Sequence, residues 1–356
     1  MNKSALVAMS GGVDSTVAAL LLKNAGYHTA GITLRLHLKK EADATENSCC
    51  SSRDIEDAIA VSNKIGIEHT VLDFSDDFEK FVVRPFAESY LCGDTPNPCI
   101  ECNRHIKFKA LNSECRKRGF TNFATGHYAR IKYDEGSGRH LLMTGLDKTK
   151  DQSYVLFSLT QDILSMALFP VGELTKGEVR EIADSVGLIN SQKPDSQDIC
   201  FIPDGDYRTF IKKTYGAESN PGDFVDINGN VLGSHKGLIG YTTGQRKGLG
   251  VSAEHPLYVV RKDIDKNAIV LGSKSDLYSK NLVCRDTNFI PFDSLTSSMK
   301  VEAKIRYSQR TAAAKISPID DGRVYVEFEE PQRAVTAGQS VVFYDGDVVV
   351  GGGKIC

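Results

Sequence analysis

Two kinds of residue cluster in this sequence could do chemistry: a glycine–serine loop near the start, and cysteines set among prolines further on. The loop is Ser10-Gly11-Gly12-Val13-Asp14-Ser15. Where a strand turns through such a loop into a helix, several backbone N–H groups point outward together, and with the helix dipole they hold phosphate oxygens. Gly11 and Gly12 let the backbone approach an anion without a Cβ in the way. Ser10 and Ser15 add hydroxyl donors. Asp14 can hold Mg²⁺ or cap the turn, and it would repel phosphate unless a cation intervenes. The spacing is neither G-x-x-x-x-G-K-[ST] nor G-x-G-x-x-G.

The thiols lie in Gly93-Asp-Thr-Pro-Asn-Pro-Cys99-Ile-Glu-Cys102-Asn-Arg-His-Ile-Lys107 and in Lys193-Pro-Asp-Ser-Gln-Asp198-Ile-Cys200-Phe-Ile-Pro203. Prolines force extended chain up to Cys99. A helix is expected to start near Cys102, which puts that thiol at a helix N-terminus among Arg104, His105 and Lys107, surroundings that favour the thiolate. Three readings compete. An inert buried thiol conflicts with the polar, proline-rich flanks. A zinc or iron–sulfur site could combine Cys99-x-x-Cys102 with Cys49-Cys50, but a second C-x-x-C pair is missing. In the third reading one cysteine carries a sulfur and another attacks it.

The elements that must position these residues alternate in the first two hundred positions, the pattern of an α/β sheet. Ala5–Met9 reads as a buried strand, Val13–Asn24 as a helix closed by Gly26, and His28–Leu36 as the next strand. Helices follow at Arg53–Ile65 and Asn103–Arg118, with strands at Glu68–Leu72 and Asn122–Thr125. Thr175-Lys-Gly-Glu178 is a capping box opening another helix. After about Phe201 short alternating segments replace helices, and Gly272–Leu282 marks a divide within that β-rich part. A length of 356 residues accommodates two or three domains.

Composition narrows the setting. A formal charge of −3 gives no global attraction to nucleic acid, so RNA contact must come from local patches such as Arg104/Lys107/Lys109, Arg116-Lys117-Arg118, Arg246-Lys247 and Arg306/Arg310. No apolar run approaches a membrane span, and no signal-peptide pattern precedes the first strand, so a cytoplasmic protein with no membrane association is expected. Nine cysteines, an odd number, do not suggest a static disulfide framework there.

The Ser-Gly-Gly-x-Asp-Ser loop resembles that of the PP-loop ATP pyrophosphatase superfamily, whose members transfer AMP to an oxygen and release pyrophosphate. More of the chain is similar to one family within it. Thr95-Pro-Asn-Pro-x-x-x-Cys102-Asn, Gly126-His127-Tyr128-Ala129, Lys150-Asp151-Gln152-Ser153-Tyr154, Pro194-Asp-Ser-Gln-Asp-Ile-Cys200-Phe, Gly244-Gln-Arg-Lys-Gly-Leu-Gly250 and Gly338-Gln339-Ser-Val-Val-Phe-Tyr344 follow in the order found in tRNA-specific 2-thiouridylases. The resemblance covers essentially the whole chain. It implies a Rossmann-like PP-loop domain with a parallel sheet (1–203), a small β-rich middle domain (204–274) and a C-terminal β-barrel that binds tRNA (275–356).

The implied activity is ATP-dependent 2-thiolation of the wobble uridine, with adenylation of the C2 oxygen followed by sulfur transfer from a cysteine persulfide. Residue by residue, Ala8, Met9, Ser10, Gly11, Gly12, Val13, Asp14, Ser15, Leu34 and Gly126 match the ATP site, with Mg²⁺ at the phosphates and no metal site of the protein's own. Cys200 matches the persulfide carrier and Cys102 the catalytic nucleophile. Asn97, Pro98, Cys99, His127, Lys150, Asp151, Gln152, Arg306, Tyr307 and Gln339 match tRNA contacts. The partners implied are the tRNA anticodon arm and a sulfur donor, either a cysteine desulfurase or a relay protein; a monomer is expected. One position departs from the family pattern: Cys99 stands where an Asp is usual. That leaves Glu101 or His105 to assist Cys102, or Cys99 itself as a third redox-active thiol. The alternatives are another AMP-forming PP-loop ligase or tRNA sulfurtransferase, and a non-catalytic RNA-binding protein; a small-molecule ligase needs neither Cys102 nor Cys200.

Overall fold

Strand β1 (Ser4–Ala8) shows why the first domain has two helical layers. Ala5 and Val7 pack with Val13, Val17 and Leu20 and with Val61 on one face of the sheet. Leu6 packs with Phe78, Phe86 and Phe108 on the other. A strand apolar on both faces belongs in a covered parallel sheet. The computed structural model describes residues 3–36, 52–188, 190–191, 199–202, 204–216 and 220–356. Cys49-Cys50 and residues 192–198 and 203 of the second thiol segment lie outside them.

Helix α1 (Val13–Asn24) leads from β1 to β2 (His28–Arg35), and helix α2 (Ser52–Ile65) leads to β3 (Glu68–Asp73). Beyond them come β4 (Asn122–Ala124), the hairpin β5 (Ala129–Asp134) and β6 (Arg139–Thr144), and the short β7 (Ala167–Leu168). The first sheet runs β3-β2-β1-β4-β7, all parallel. Its order reverses direction at β1, so the loop after β1 opens at the topological switch point where ligands bind in such sheets.

Strands β8 (Gly222–Val225), β9 (Val231–His235), β10 (Tyr258–Asp263) and β11 (Ala268–Gly272) form a separate sheet in the order β10-β11-β8-β9 over a core of Phe224, Val259, Ile269 and Leu271. The last strands are β12 (Tyr278–Phe289), β13 (Met299–Lys304), β14 (Ala312–Pro318), β15 (Val324–Arg333), β16 (Ser340–Asp345) and β17 (Val348–Ile355). They run β12-β15-β14-β13-β16-β17, and pairing of β12 with β17 closes the barrel. The hairpin β5–β6, although part of the first two hundred residues, joins this sheet where Met143 pairs with Val348. The α/β domain, the β-rich middle and the C-terminal barrel are thus all present.

One expected element boundary is corrected. The helix bearing the first thiols starts at Pro98, not beside Cys102: Pro98–Cys102 is α-helical, Asn103–Lys107 is a π-turn and Phe108–Lys117 is again α-helical. Asn97 is the cause, because its side chain accepts the Cys99 N–H at 3.1 Å and so caps a helix with proline at its first position. Cys102 therefore lies a full turn inside the helix and is buried.

Candidate active site

The phosphate loop is built by short-range bonds. Ser15 Oγ donates to the Gly12 carbonyl at 3.0 Å and accepts the Ser10 N–H at 3.2 Å, folding the loop over the start of α1. Thr16 Oγ1 donates to the same carbonyl at 3.1 Å. Gly11 has φ +73°, and a Cβ there would run into the Asp54 carbonyl of α2. Gly12, the N-cap of α1, has no side chain to spend on capping. The first N–H groups of α1 are thereby presented beside exposed Ser10. Asn190 braces the loop from behind, donating to Gly11 O at 3.1 Å and to Thr16 Oγ1 at 3.0 Å.

Around that cradle the other residues matched to ATP take definite places. Gly126 lies against the loop so closely that a Cβ would sit 2.5 Å from the Ser15 nitrogen. Met9 and Leu34 are buried at adjacent strand ends, and the Met9 N–H donates to Ile32 O at 2.8 Å. The Met9 carbonyl accepts the Thr33 hydroxyl at 2.7 Å, and that hydroxyl is bonded in turn to His69 Nε2 at 3.0 Å.

Asp14 is not a bare acid beside this cradle. Lys176 Nζ donates to its two oxygens at 2.7 and 2.9 Å, and the Tyr128 hydroxyl donates to Oδ1 at 2.7 Å. Only 9% of the Lys176 side chain is exposed. The cation anticipated beside Asp14 is therefore a lysine. Lys176 is the functional candidate that reading the sequence missed; the signal was there in the Thr175–Glu178 capping box, which fixes it at the first position of helix Lys176–Ser185. Tyr128 is held in turn by Gln152, whose Oε1 accepts the Tyr128 N–H at 3.0 Å.

Both thiols belong to the opposite face of the sheet. Cys102 belongs to the hydrophobic cluster that includes Phe78, Phe86 and Ile106, and half-buried Cys200 packs against the same cluster. Phe201, next to Cys200, meets Phe86 edge-on at 5.2 Å and Phe78 at 5.7 Å. Asn103 Nδ2 donates to Val155 O at 3.0 Å and anchors the turn that follows Cys102. Exposed Cys99 stands at the outer end of the helix. Of the basic residues expected around Cys102, Arg104 reaches the barrel at Asp286 O (3.3 Å), and His105 pairs with Glu101 at 3.3 Å while stacking on Phe81. Burial lowers the pKa of His105, with Lys109 and Arg104 acting the same way and Glu101 opposing.

The positions matched to tRNA contacts fall in two groups. His127 is enclosed by Phe108 and Phe169 and bonded to Thr125 Oγ1 at 2.7 Å; burial, reinforced by Lys107, pushes its pKa down to about 3. Asp151 accepts the N–H groups of Gly145 and Ser153 at 3.0 and 3.1 Å, and beside it Lys304 leans over the rings of Tyr154 and exposed Tyr307. Lys150 and Gln152 flank Asp151 on the same loop. The second group surrounds the cysteine loop: Asn97 and Pro98 lie on it, and Gln339 Nε2 donates across to Thr95 O at 2.8 Å. Arg306 bonds Ala334 O and Thr336 Oγ1 at 2.7 and 3.1 Å, in the segment leading to Gln339.

Comparison with known proteins covers all three parts of the chain. Residues 3–204 match the model described as tRNA methyl transferase HUP domain, 208–273 the tRNA methyl transferase PRC-barrel domain, and 279–355 the aminomethyltransferase beta-barrel domain. Among full-length relatives, the tRNA-specific 2-thiouridylase MnmA of Acetivibrio thermocellus is 50% identical over 99% of both chains. Its namesake in Heliobacterium modesticaldum is 51% identical over 100% of this chain and 93% of its own. That of Clostridioides difficile is 48% identical over 100% of this chain and 98% of its own. The domain models carry a methyltransferase wording, whereas these full-length relatives are named for thiolation. Matched at about half identity from end to end, the chain belongs to the tRNA-specific 2-thiouridylase family.

Proposed function

We propose that this protein uses ATP to replace the C2 oxygen of the wobble uridine of tRNA with sulfur. The observation that carries the reading is that Cys102 and Cys200, far apart in sequence, both pack on the hydrophobic cluster that covers the other face of the strand leading into the phosphate loop. A small-molecule ligase has no use for that pair of thiols.

The chemical obstacle is that a urea-like carbonyl oxygen leaves poorly. Attack of the C2 oxygen on the α-phosphorus of ATP expels pyrophosphate and turns that oxygen into part of AMP, a competent leaving group. In this reading the Ser10–Ser15 loop and the N–H groups of α1 hold the phosphates, while Ala8, Met9, Leu34 and Gly126 line the nucleotide. Mg²⁺ would accompany ATP on its phosphates. Asp14 does not fit as its ligand in this arrangement, because Lys176 bonds both carboxylate oxygens.

Sulfur arrives as a persulfide on Cys200. In one route the Cys102 thiolate attacks Cys200 Sγ and expels hydrosulfide, which adds to C2 as AMP departs. In the other the terminal persulfide sulfur adds to C2, AMP departs, and Cys102 then attacks Cys200 Sγ to release the thiolated base. Both routes leave a Cys102–Cys200 disulfide, which an external thiol reductant resets. The base must be splayed out of the anticodon loop to be reached. Asn97, Pro98 and Cys99 stand closest in sequence to the nucleophile, and His127, Lys150, Asp151, Gln152, Arg306, Tyr307 and Gln339 serve the rest of the anticodon arm. The sulfur comes from a cysteine desulfurase or a relay protein, and the enzyme works as a cytoplasmic monomer divided at 1–203, 204–274 and 275–356.

The test is incubation with unmodified tRNA, Mg-ATP and a sulfide or persulfide source, followed by nucleoside mass analysis. The expected products are 2-thiouridine, AMP and pyrophosphate. Cys102→Ser and Cys200→Ser are each expected to abolish turnover with ATP binding largely intact. Absence of 2-thiouridine with every sulfur source would refute the assignment.

A further inference from the structure

The loop that leads into the Cys102 helix is held from outside its own domain. Thr95 N–H donates to Ala337 O at 2.9 Å, and Gln339 Nε2 donates to Thr95 O at 2.8 Å, so both backbone polar groups of one loop residue are held by the barrel segment 334–339. Gly338 lies between those two bonds with φ +86°; a Cβ there would stand 2.8 Å from both Asp94 Cβ and Thr95 N. Lys354 of β17 approaches Asp94 at 3.9 Å. The middle domain closes the third side: a Cβ on Gly93 would strike Ile264, and Lys262 Cδ would lie 3.6 Å from it. Lys262 Nζ is buried with no hydrogen-bond partner among the described residues; burial lowers its pKa to about 8 and the charge of Asp94 opposes that shift.

The gripping segment is itself stiff. Ala334 holds a left-handed φ of 54°, its N–H donates to Leu277 O at 2.7 Å, and its carbonyl accepts from Arg306. Arg306 also bonds Thr336 Oγ1 at 3.1 Å, and Gly338 N–H donates to Ile355 O at 3.0 Å. A rigid strap bonded to both the N–H and the C=O of Thr95 fixes where Asn97 and Pro98 start the helix, and hence where Cys102 lies within it.

We propose that Gln339 and Gly338 are positioning residues for the cysteine loop, so that the barrel sets the geometry of Cys102 before any RNA arrives. This rests on the thiolation reading for its catalytic consequence, but not for its structural one. In that reading Gln339 touches RNA; here it acts first through Thr95. A Glu at 339 keeps the shape but cannot donate to the Thr95 carbonyl.

The experiment compares Gln339→Glu and Gly338→Ala with the parent protein, without RNA, by hydrogen–deuterium exchange of the peptide spanning 93–99. Loss of the Gln339 bond in one variant, and the clash of the new Cβ with Asp94 and Thr95 in the other, are each expected to speed exchange at Thr95 about tenfold. Turnover under saturating tRNA is expected to fall about tenfold in both, and Gly338→Ala, which keeps the Gln339 side chain, should change the tRNA dissociation constant less than about twofold. Unchanged exchange in Gln339→Glu with weakened tRNA binding would overturn the proposal and leave Gln339 as an RNA contact alone. Faster exchange with undiminished saturated turnover would overturn it equally. If Gly338→Ala fails to fold, Gln339→Glu decides by the same readouts. Should the parent protein make no 2-thiouridine, the thiolation reading fails, and the exchange arm still decides whether the strap exists.

Discussion

Asp14 occupies the first turn of α1, where a carboxylate stabilises the helix yet opposes an arriving polyphosphate. Lys176 resolves the conflict by bonding both oxygens at 2.7 and 2.9 Å while being almost wholly buried. Replacing it with Met would leave the acid uncompensated within a few ångströms of the cradle, an interaction of a few kcal/mol at an intermediate dielectric. Lys176→Met is therefore expected to weaken ATP binding by about tenfold or more in calorimetry. The double variant Asp14→Asn/Lys176→Met should recover most of that loss. If it stays as weak as the single variant, the lysine does not work by neutralising Asp14. The acid was legible in the sequence and its cation was not, because 162 residues separate them and only the packing of helix Lys176–Ser185 on α1 brings them together. His127 gives a second residue-scale prediction. Its folded pKa of about 3 lies below the ordinary 6.5, so between those values the unfolded chain binds a proton that the folded one does not. Stability contributed by keeping the ring neutral is complete above about 6.5 and is lost as the pH falls toward 3. His127→Asn should flatten the fall in melting temperature between pH 6.5 and 4; an unaltered slope would place the proton uptake elsewhere.

Whole elements were legible wherever their apolar periodicity is strong. The unit β1–α1–β2 emerged within a residue of its observed bounds, because both faces of β1 are apolar and Gly26 takes the left-handed φ of +82° that ends α1. The start of the Cys102 helix was misread for an identifiable reason. Pro-Asn-Pro suggests extended chain, but Asn at the cap followed by Pro at the first position is also a helix start, and the Asn97 bond to Cys99 N–H selects it. The π-turn at Asn103–Lys107 has no sequence signature of this kind. Nor did the hairpin β5–β6 announce that its partner would be a barrel strand two hundred residues later. At this scale the sharpest test is Gly126→Ala. Its Cβ would meet Ser15 N at 2.5 Å and the Asp14 carbonyl carbon at 2.7 Å, backbone atoms that move only if α1 itself shifts. The expected result is a stability loss of about 1–3 kcal/mol and a still larger effect on ATP affinity, with alkylation of the exposed Cys99 unchanged. Normal ATP affinity in this variant would mean that β4 and α1 are not locked together.

Across the molecule, the barrel and the first domain share one surface, and the bonds across it come from both partners. Tyr154 donates to Ser340 O at 2.7 Å, Asn288 Nδ2 donates to Phe157 O at 2.7 Å, and Arg139 Nε donates to Ile290 O at 2.8 Å. The most charged anchor is Asp347, at the tip between β16 and β17. It accepts from Lys148 Nζ at 2.6 Å, Arg130 Nη2 at 2.8 Å and Thr144 Oγ1 at 2.9 Å. Lys148, then Thr144 and Arg130, hold its pKa below the ordinary 3.8. Such a group stabilises the docked state above about 3.8, and that contribution is lost as the pH falls through the depressed folded value. Because the Asp347 side chain is 47% exposed, solvent screening limits the gain to roughly 1 kcal/mol. Asp347→Asn is accordingly expected to lower the melting temperature by a few degrees at neutral pH, with the difference shrinking in high salt and as the pH falls below about 3.8. If barrel docking also sets the cysteine loop, the same variant should speed exchange in residues 93–99, although Asp347 touches none of them. A lowered melting temperature with exchange in that loop unchanged would show that the two ends of the interface act separately, and that the strap at 334–339 holds Thr95 without help from the anchor at Asp347.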